Sequence, residues 1–223
     1  KELEFNAWLQ DVPEKKTTTT KVNSSYICIS SQDLLEKVIK NASKAKTIAI
    51  DTETTGLDYM DTDLVGISLS YKPGEAYYIP INHQDDTVDQ LKLNLVLDAL
   101  KPILESSKNK IIGQNIKFDR NVLAKYGINI SSIKNDTMMM SYVLDASATR
   151  HNLDALSSYY LNYKTSTFED VAGKGVKQIT FDQVPIEEAT NYAAEDADIT
   201  LRLYEELNPK LESVASLKKL NDE

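Results

Sequence analysis

The stretch Ile48-Ala49-Ile50-Asp51-Thr52-Glu53-Thr54-Thr55-Gly56-Leu57 begins as an apolar run and changes to acids and threonines. The apolar run predicts a buried strand that ends near the acids. Because alternate residues of a strand share a face, the carboxylates of Asp51 and Glu53 leave on the same side. Two charges at the end of a buried strand are costly without cations or hydrogen bonds. The pair therefore predicts either a metal site or a polar strand end, and Asp-x-Glu alone does not decide between them.

The elements around this strand predict a mixed α/β sheet flanked by helices. Further strands are expected at 64–71, 77–81, 110–113 and 128–133, and helices over 30–43, 91–104, 118–126, 136–144, 153–161 and 186–207. The short connections between the first three strands favour an antiparallel meander. The β-α-β-α order that follows favours helices on both faces of the sheet. Cys28 is expected in a short buried strand near the start.

Composition and charge exclude several classes of protein. Apolar residues make up 41% and charged residues 26% of the 223 residues, which excludes wholesale disorder, collagen-like structure and a coiled coil. A single cysteine excludes an internal disulfide and a cysteine-built zinc site. The formal charge is 25 − 34 = −9, unlike a free-standing binder of nucleic acid, which usually carries a basic footprint. No apolar run approaches the roughly 18–20 residues of a membrane span.

Two further motifs carry acids in specific positions. Asp119 follows Gly113-Gln114-Asn115 in the first turn of a predicted helix, where it either caps that helix or joins the pair on the first strand. On the last long helix, Tyr192 and Asp196 are four residues apart and share a face. Glu195 and Asp198 point away from that face and are expected to be solvated.

The three motifs in this order resemble those of the DEDD superfamily of exonucleases, in the version with tyrosine. The segments 168–175 and 192–198 are similar to the 3′–5′ proofreading domain of bacterial DNA polymerase I, family A, and the resemblance runs from about residue 26 to 207. It implies a ribonuclease H-like α/β fold with a mixed five-stranded sheet. It also implies that residues 1–25 are a linker from a preceding domain and that 208–223 begin the connection to a polymerase domain.

The resemblance implies a metal-dependent 3′–5′ exonuclease that acts on the 3′ end of single-stranded or frayed DNA. Asp51, Glu53 and Asp196 are expected to hold one of two divalent ions, and Asp51 to bridge to the second near Asp119. Carboxylate ligands suit Mg²⁺ or Mn²⁺. Tyr192 is expected to orient the attacking water, because a phenol of pKa roughly 10 is a poor base at neutral pH. The expected contacts to DNA are Leu57 and Phe168 with the terminal base, and Gln114 and Asn115 with sugar or phosphate.

The implied partners are single-stranded DNA and the polymerase and 5′-nuclease domains of the same parent chain. A cytoplasmic, monomeric bacterial protein without a membrane partner is expected. Three alternatives remain open: a catalytically silent domain of a polymerase, an RNA exonuclease of the ribonuclease D type, and a pure nucleic-acid-binding module. The intact set of acids argues against the first, and the charge argues against the last. Among the other residues, Met138 to Met140 are expected in the core, His83 in a structural role, and Lys174 and Lys177 either on a phosphate or in a solvated loop.

Overall fold

The computed structural model describes residues 24–130 and 133–222. Most of the linker predicted over 1–25 therefore lies outside the described residues. The strands are β1 Ser25–Cys28, β2 Thr47–Thr54, β3 Leu64–Lys72, β4 Glu75–Pro80, β5 Lys110–Gly113 and β6 Ile133–Asp136. The helices are α1 Gln32–Ala42, α2 Leu93–Leu104, α3 Ile116–Lys125, α4 Thr137–Leu144, α5 Leu153–Leu156 with a π-helical turn Ser157–Leu161, α6 Phe168–Ala172, α7 Ile186–Glu212 and α8 Ala215–Asp222, with 3₁₀ turns at Gly175–Lys177 and Phe181–Gln183.

The strands form one mixed sheet in the order β1-β4-β3-β2-β5-β6. The antiparallel meander of β2, β3 and β4 is confirmed, and β5 and β6 continue the sheet in parallel beyond β2. The described part of the chain has six strands in this sheet, so the expected number of five is wrong. The additional strand is β1, which contains Cys28 and pairs in parallel with β4. Cys28 itself is only half-buried, because β1 lies at the edge of the sheet.

The observed strand that corresponds to the one predicted at 128–133 is β6, which begins only at Ile133. Ile128 and Ile130 are nevertheless buried, with 1% and 3% of their surface exposed. These two side chains fix a connecting segment to the core, so the alternating apolar pattern here does not arise from a strand. The short helices α6 and α8 were not predicted, and α7 continues to Glu212, because Leu211 is also buried beside the sheet.

Helices cover both faces of the sheet, as expected. Residues of α1, α2 and α3 pack with Ile48 and Ile50 of β2 on one face. Residues of α7 pack with Ala49, on the opposite face of the same strand. The helix α7 contacts β1 to β5, and the small side chains of Ala193, Ala194 and Ala197, all fully buried, allow this close approach. Because Asp51 follows Ala49 by two residues, it lies on the face covered by α7.

Gly66 on β3 leaves space for a buried tyrosine from the neighbouring strand. A Cβ atom on Gly66 would lie 2.1 Å from the Tyr78 hydroxyl oxygen. That hydroxyl is 2.8 Å from His83 Nε2, so Tyr78 cannot move away without losing a buried hydrogen bond. The structural role expected for His83 is thus observed.

We expect Gly66→Ala to lower the free energy of unfolding by about 1–3 kcal/mol, the usual cost of overpacking. Urea-induced unfolding followed by circular dichroism measures this change. Gly56→Ala is the matched control, because the nearest atom to its added Cβ is 3.7 Å away, an ordinary contact. Equal unfolding midpoints for the two variants would contradict the prediction.

Candidate active site

Three carboxylates from two elements meet on the α7 face of the sheet. Asp51 and Glu53 extend from the end of β2, and Asp196 extends from α7. One carboxylate oxygen from each residue lies within 4.8 Å of those from the other two. The strand period of two places the first pair together, and the close packing of α7 brings the third acid to them.

Asp119 lies beside this group and is held by β2. The residue is 2% exposed, and its Oδ1 accepts hydrogen bonds from the Thr52 amide at 2.8 Å and the Thr52 hydroxyl at 2.6 Å. Asp119 and Asp51 line one cavity of about 390 Å³. Asp119 therefore joins α3 to the strand that carries Asp51 and Glu53. The sequence left open whether Asp119 caps its helix or joins this pair, and the structure places it beside the pair.

Burial and mutual repulsion make these carboxylates hard to ionise in the absence of a cation. Burial raises the pKa of Asp51 to about 6. Burial, and then the charges of the neighbouring acids, raise the pKa values of Glu53 and Asp196 well above their usual range. None of the ion pairs between described residues involves these three acids. A crowded set of oxygen ligands without a basic partner fits a hard divalent cation.

Tyr192 lies one helical turn before Asp196 on α7. Its side chain is half-buried, and its pKa is raised, first by burial and then by the charges of Asp196 and Glu53. The phenol is therefore neutral at physiological pH. A neutral hydroxyl beside carboxylates can orient a water molecule through hydrogen bonds, whereas it cannot serve as a base.

A cleft of about 570 Å³ opens next to the carboxylates. It is lined by Glu53 and Tyr192 on one side and by apolar side chains that include Leu57 and Phe168. Leu57 is 96% exposed and Phe168 is 37% exposed, which is unusual for large apolar residues. Apolar surface in a cleft suits a flat, partly apolar ligand such as a nucleobase.

Gln114 and Asn115 lie at the turn between β5 and α3. The side chain of Gln114 donates from Nε2 to the His151 carbonyl at 2.8 Å and accepts at Oε1 from the Thr137 hydroxyl at 2.5 Å. Asn115 is exposed and adopts a left-handed conformation with φ 59°. Gln114 thus holds the backbone at His151 in place, and it also lines the same cavity as Asp51.

Glu195 and Asp198 are buried, so the expectation that both are solvated is wrong. Glu195 is 7% exposed and accepts hydrogen bonds from the Tyr163 hydroxyl and the Ser166 amide, each at 2.6 Å. Asp198 is fully buried and accepts from the Gly74 amide at 2.7 Å and the Tyr26 hydroxyl at 3.0 Å. The reason is that other segments cover α7 on several sides, so residues off its sheet-facing side are also enclosed.

The cleft also contains aromatic residues that the motifs did not identify. Phe118 lines both cavities, and Phe181, which is 1% exposed, lines the larger one. Phe118 stands one residue before Asp119, so its position in the motif was a usable signal. Phe181 has no such signal. Of the methionines expected in the core, Met140 is fully buried, whereas Met139 is 51% exposed and was wrongly predicted.

A family model described as 3′-5′ exonuclease matches residues 26–212. The chain belongs to this 3′–5′ exonuclease family. DNA polymerase I of Pseudomonas aeruginosa is 44% identical over 99% of this chain, and that of Rhizobium leguminosarum is 39% identical over 85%. These relatives show that the chain is an exonuclease domain of the type found in bacterial DNA polymerase I. The chain spans only 25% and 20% of the length of these two relatives.

Solved structures share the fold of this exonuclease domain. The POL domain of Pol1 of M. smegmatis, in complex with DNA primer-template and dNTP, superposes with a TM-score of 0.66 at 17% identity, over 87% of this chain and 29% of that one. NrnC of Brucella melitensis superposes with a TM-score of 0.62 at 24% identity, over 82% and 81% of the two chains. The ribonuclease H-like α/β class expected from the sequence is thus confirmed. Among the described residues, none of the helices is long and apolar enough to cross a membrane.

Proposed function

We propose that this exonuclease domain removes nucleotides from the 3′ end of single-stranded or frayed DNA by metal-dependent hydrolysis. The observation that carries the proposal is the approach of the Asp51, Glu53 and Asp196 oxygens within 4.8 Å of one another, next to an open apolar cleft. Membership of the 3′–5′ exonuclease family supports the reaction and its direction.

Each acid has a distinct part in this proposal. Asp51, Glu53 and Asp196 would hold one divalent ion, and Asp51 together with Asp119 would hold a second. When bound, two such ions make water a stronger nucleophile at neutral pH and stabilise the leaving 3′ oxygen. The structure of NrnC with bound Mg²⁺ supports magnesium as the candidate ion, with Mn²⁺ as its substitute. Tyr192 orients the attacking water through its neutral hydroxyl, and Glu53 accepts from the same water.

The cleft binds the end of the strand without reading its sequence. Leu57 and Phe168 contact the terminal base, which any base can satisfy because each has a π face. Asn115 and the remaining N–H of Gln114 contact sugar or phosphate. We also propose that residues 26–207 form the exonuclease domain of a longer cytoplasmic polymerase chain, preceded by the 1–25 linker and followed by a connection over 208–223. The other domains would supply much of the grip on DNA, which is consistent with the acidic charge here.

Digestion of a 5′-labelled single-stranded DNA tests this function directly. We expect a ladder of products that shortens from the 3′ end with Mg²⁺ or Mn²⁺ and is absent with a chelator. The same oligonucleotide with ribose sugars separates a DNA exonuclease from the ribonuclease D type, since sugar choice depends on contacts to the 2′ position. Absence of shortening with Mn²⁺ at protein concentrations that saturate the DNA would refute the proposed activity.

A further inference from the structure

Phe181 lies at the centre of the aromatic side chains beneath the cleft. Its ring centroid is 5.8 Å from that of Tyr192 and 6.3 Å from that of Phe168, and the last two are 6.4 Å apart. The ring of Phe181 is nearly parallel to that of Phe168, with 23° between their planes. Three rings are thus in mutual contact, and the two outer ones are the residues assigned to the attacking water and to the terminal base.

The ring of Phe181 is itself held from behind by the sheet. Its centroid is 5.7 Å from that of His83 and 6.4 Å from that of Tyr78. His83 Nδ1 is 3.0 Å from the Val184 carbonyl, and since a carbonyl only accepts, Nδ1 carries the proton. Because burial lowers the pKa of His83, the ring is neutral, and its Nε2 accepts from the Tyr78 hydroxyl at 2.8 Å. These bonds tie the turn Phe181–Gln183 to β4, so Phe181 has little freedom to shift.

We propose that Phe181 is a positioning residue that fixes the Tyr192 hydroxyl and the Phe168 ring relative to each other. Through these two residues it holds the attacking water and the terminal base in one geometry, although only 1% of its own surface is exposed. This inference rests on the proposed function, because Tyr192 and Phe168 have these roles only in a nuclease. It adds a residue from outside the three acidic motifs to the machinery of the site.

Substitution of Phe181 by leucine or methionine, assayed in parallel, tests the proposal. Both keep an apolar side chain in the core and remove the flat ring. Because a misplacement of about 1 Å at a reacting group costs about 10²-fold in rate, we expect partial loosening of Tyr192 to lower kcat about tenfold. Loosening of Phe168 is expected to raise KM for single-stranded DNA. Val65→Ala is the control, because Val65 is fully buried in the same cluster and has no part in the aromatic contacts.

Double variants distinguish positioning from general loss of stability. In a Tyr192→Phe background, which keeps the ring and removes the hydroxyl, we expect Phe181→Leu to lose its effect on kcat but keep its effect on KM. In a Phe168→Ala background, we expect the effect on KM to disappear. Residues in contact can be non-additive for packing reasons alone, but only positioning assigns the kcat effect to Tyr192 and the KM effect to Phe168. Additive effects in both backgrounds, or equal losses for Phe181→Leu and Val65→Ala, would overturn the proposal.

The controls also separate this inference from the proposed function. If the unmodified chain fails to shorten DNA, the proposed function fails. If the unmodified chain is active and the Phe181 variants match it in kcat and KM, only the positioning role fails. Thermal unfolding of every variant sets the assay temperature below all the transitions, so that each rate refers to folded protein.

Discussion

Asp51→Asn is expected to reduce nucleotide removal from the 3′ end by on the order of 10⁴-fold or more, the scale of loss when one member of a catalytic unit is removed. Asp51 belongs to the group of three carboxylates and also lines the cavity that contains Asp119. It is therefore the side chain that would contribute ligand oxygens to both proposed ions. Asparagine has nearly the same shape, so the loss reports the missing charge and ligand oxygen.

The measurement is the single-turnover rate of shortening of 5′-labelled DNA with Mg²⁺ and with Mn²⁺. Asp61→Asn is the matched control, since it removes the same charge from an exposed position in the loop after β2. That control is expected to retain the rate of the unmodified chain within about twofold, because surface charges contribute little. Retention of more than one hundredth of the activity by Asp51→Asn would contradict the assignment.

The same substitution is expected to stabilise the protein when metal is removed. Burial raises the pKa of Asp51 from 3.8 to about 6 in the folded state, so the folded protein binds this proton more tightly than the unfolded chain does. Stability from this group is therefore fully present below about pH 4 and is lost as the pH rises through about 6. A difference of about 2 pKa units corresponds to roughly 3 kcal/mol as an upper bound. In a domain of this size, that free energy corresponds to a change in Tm of at most about 6–12 °C.

In a chelator at pH 7.5, Asp51→Asn is thus expected to have the higher Tm. The gap should close below pH 4, where the carboxyl is protonated in both states and the substitution removes no charge. Divalent metal is expected to raise the Tm of the unmodified chain and to raise that of the variant much less, since a ligand that binds only the folded state stabilises it. Scanning calorimetry at pH 4, 5, 6 and 7.5, with chelator and with Mn²⁺, measures these differences.

Two results would contradict this prediction. The first is a lower Tm for Asp51→Asn in chelator at pH 7.5, which would mean that the ionised carboxylate is stabilised by protein groups. The second is an equal effect of Mn²⁺ on both proteins, which would place the metal elsewhere. Together with the activity assay, the calorimetry links the loss of function to a gain of stability at one side chain, as expected where charges are crowded for function.

Much of the candidate site could be predicted because it depends on local periodicity. Asp51 and Glu53 share a face through the strand period of two, and Tyr192 and Asp196 share a face through the helix period of 3.6. The meander was also predictable, since its strands follow one another with short connections. Prediction was weakest where the apolar pattern has two explanations, as at Ile128 and Ile130, which anchor a connecting segment and are not part of a strand.

The burial of Glu195 and Asp198 could not be predicted from their spacing. Their partners Tyr163, Tyr26 and Gly74 are between 32 and 172 residues away in the chain. Helical periodicity states only which side of α7 these acids occupy. It does not state what lies there, and here that side is covered by β1, by the turn before β4 and by the segment that leads to α6.

Residue types at short spacings were sufficient to predict the class of fold, the family and the acids from which a metal site can be built. Three features became apparent in the folded chain alone: Thr52 holds Asp119, β1 forms a sixth strand, and Phe181 joins Tyr192 to Phe168. Each of these contacts joins different secondary-structure elements, at separations of up to 67 residues, beyond what helix or strand periodicity describes. These contacts form between segments whose meeting is fixed by packing of the whole core, and no local pattern records which segments will meet.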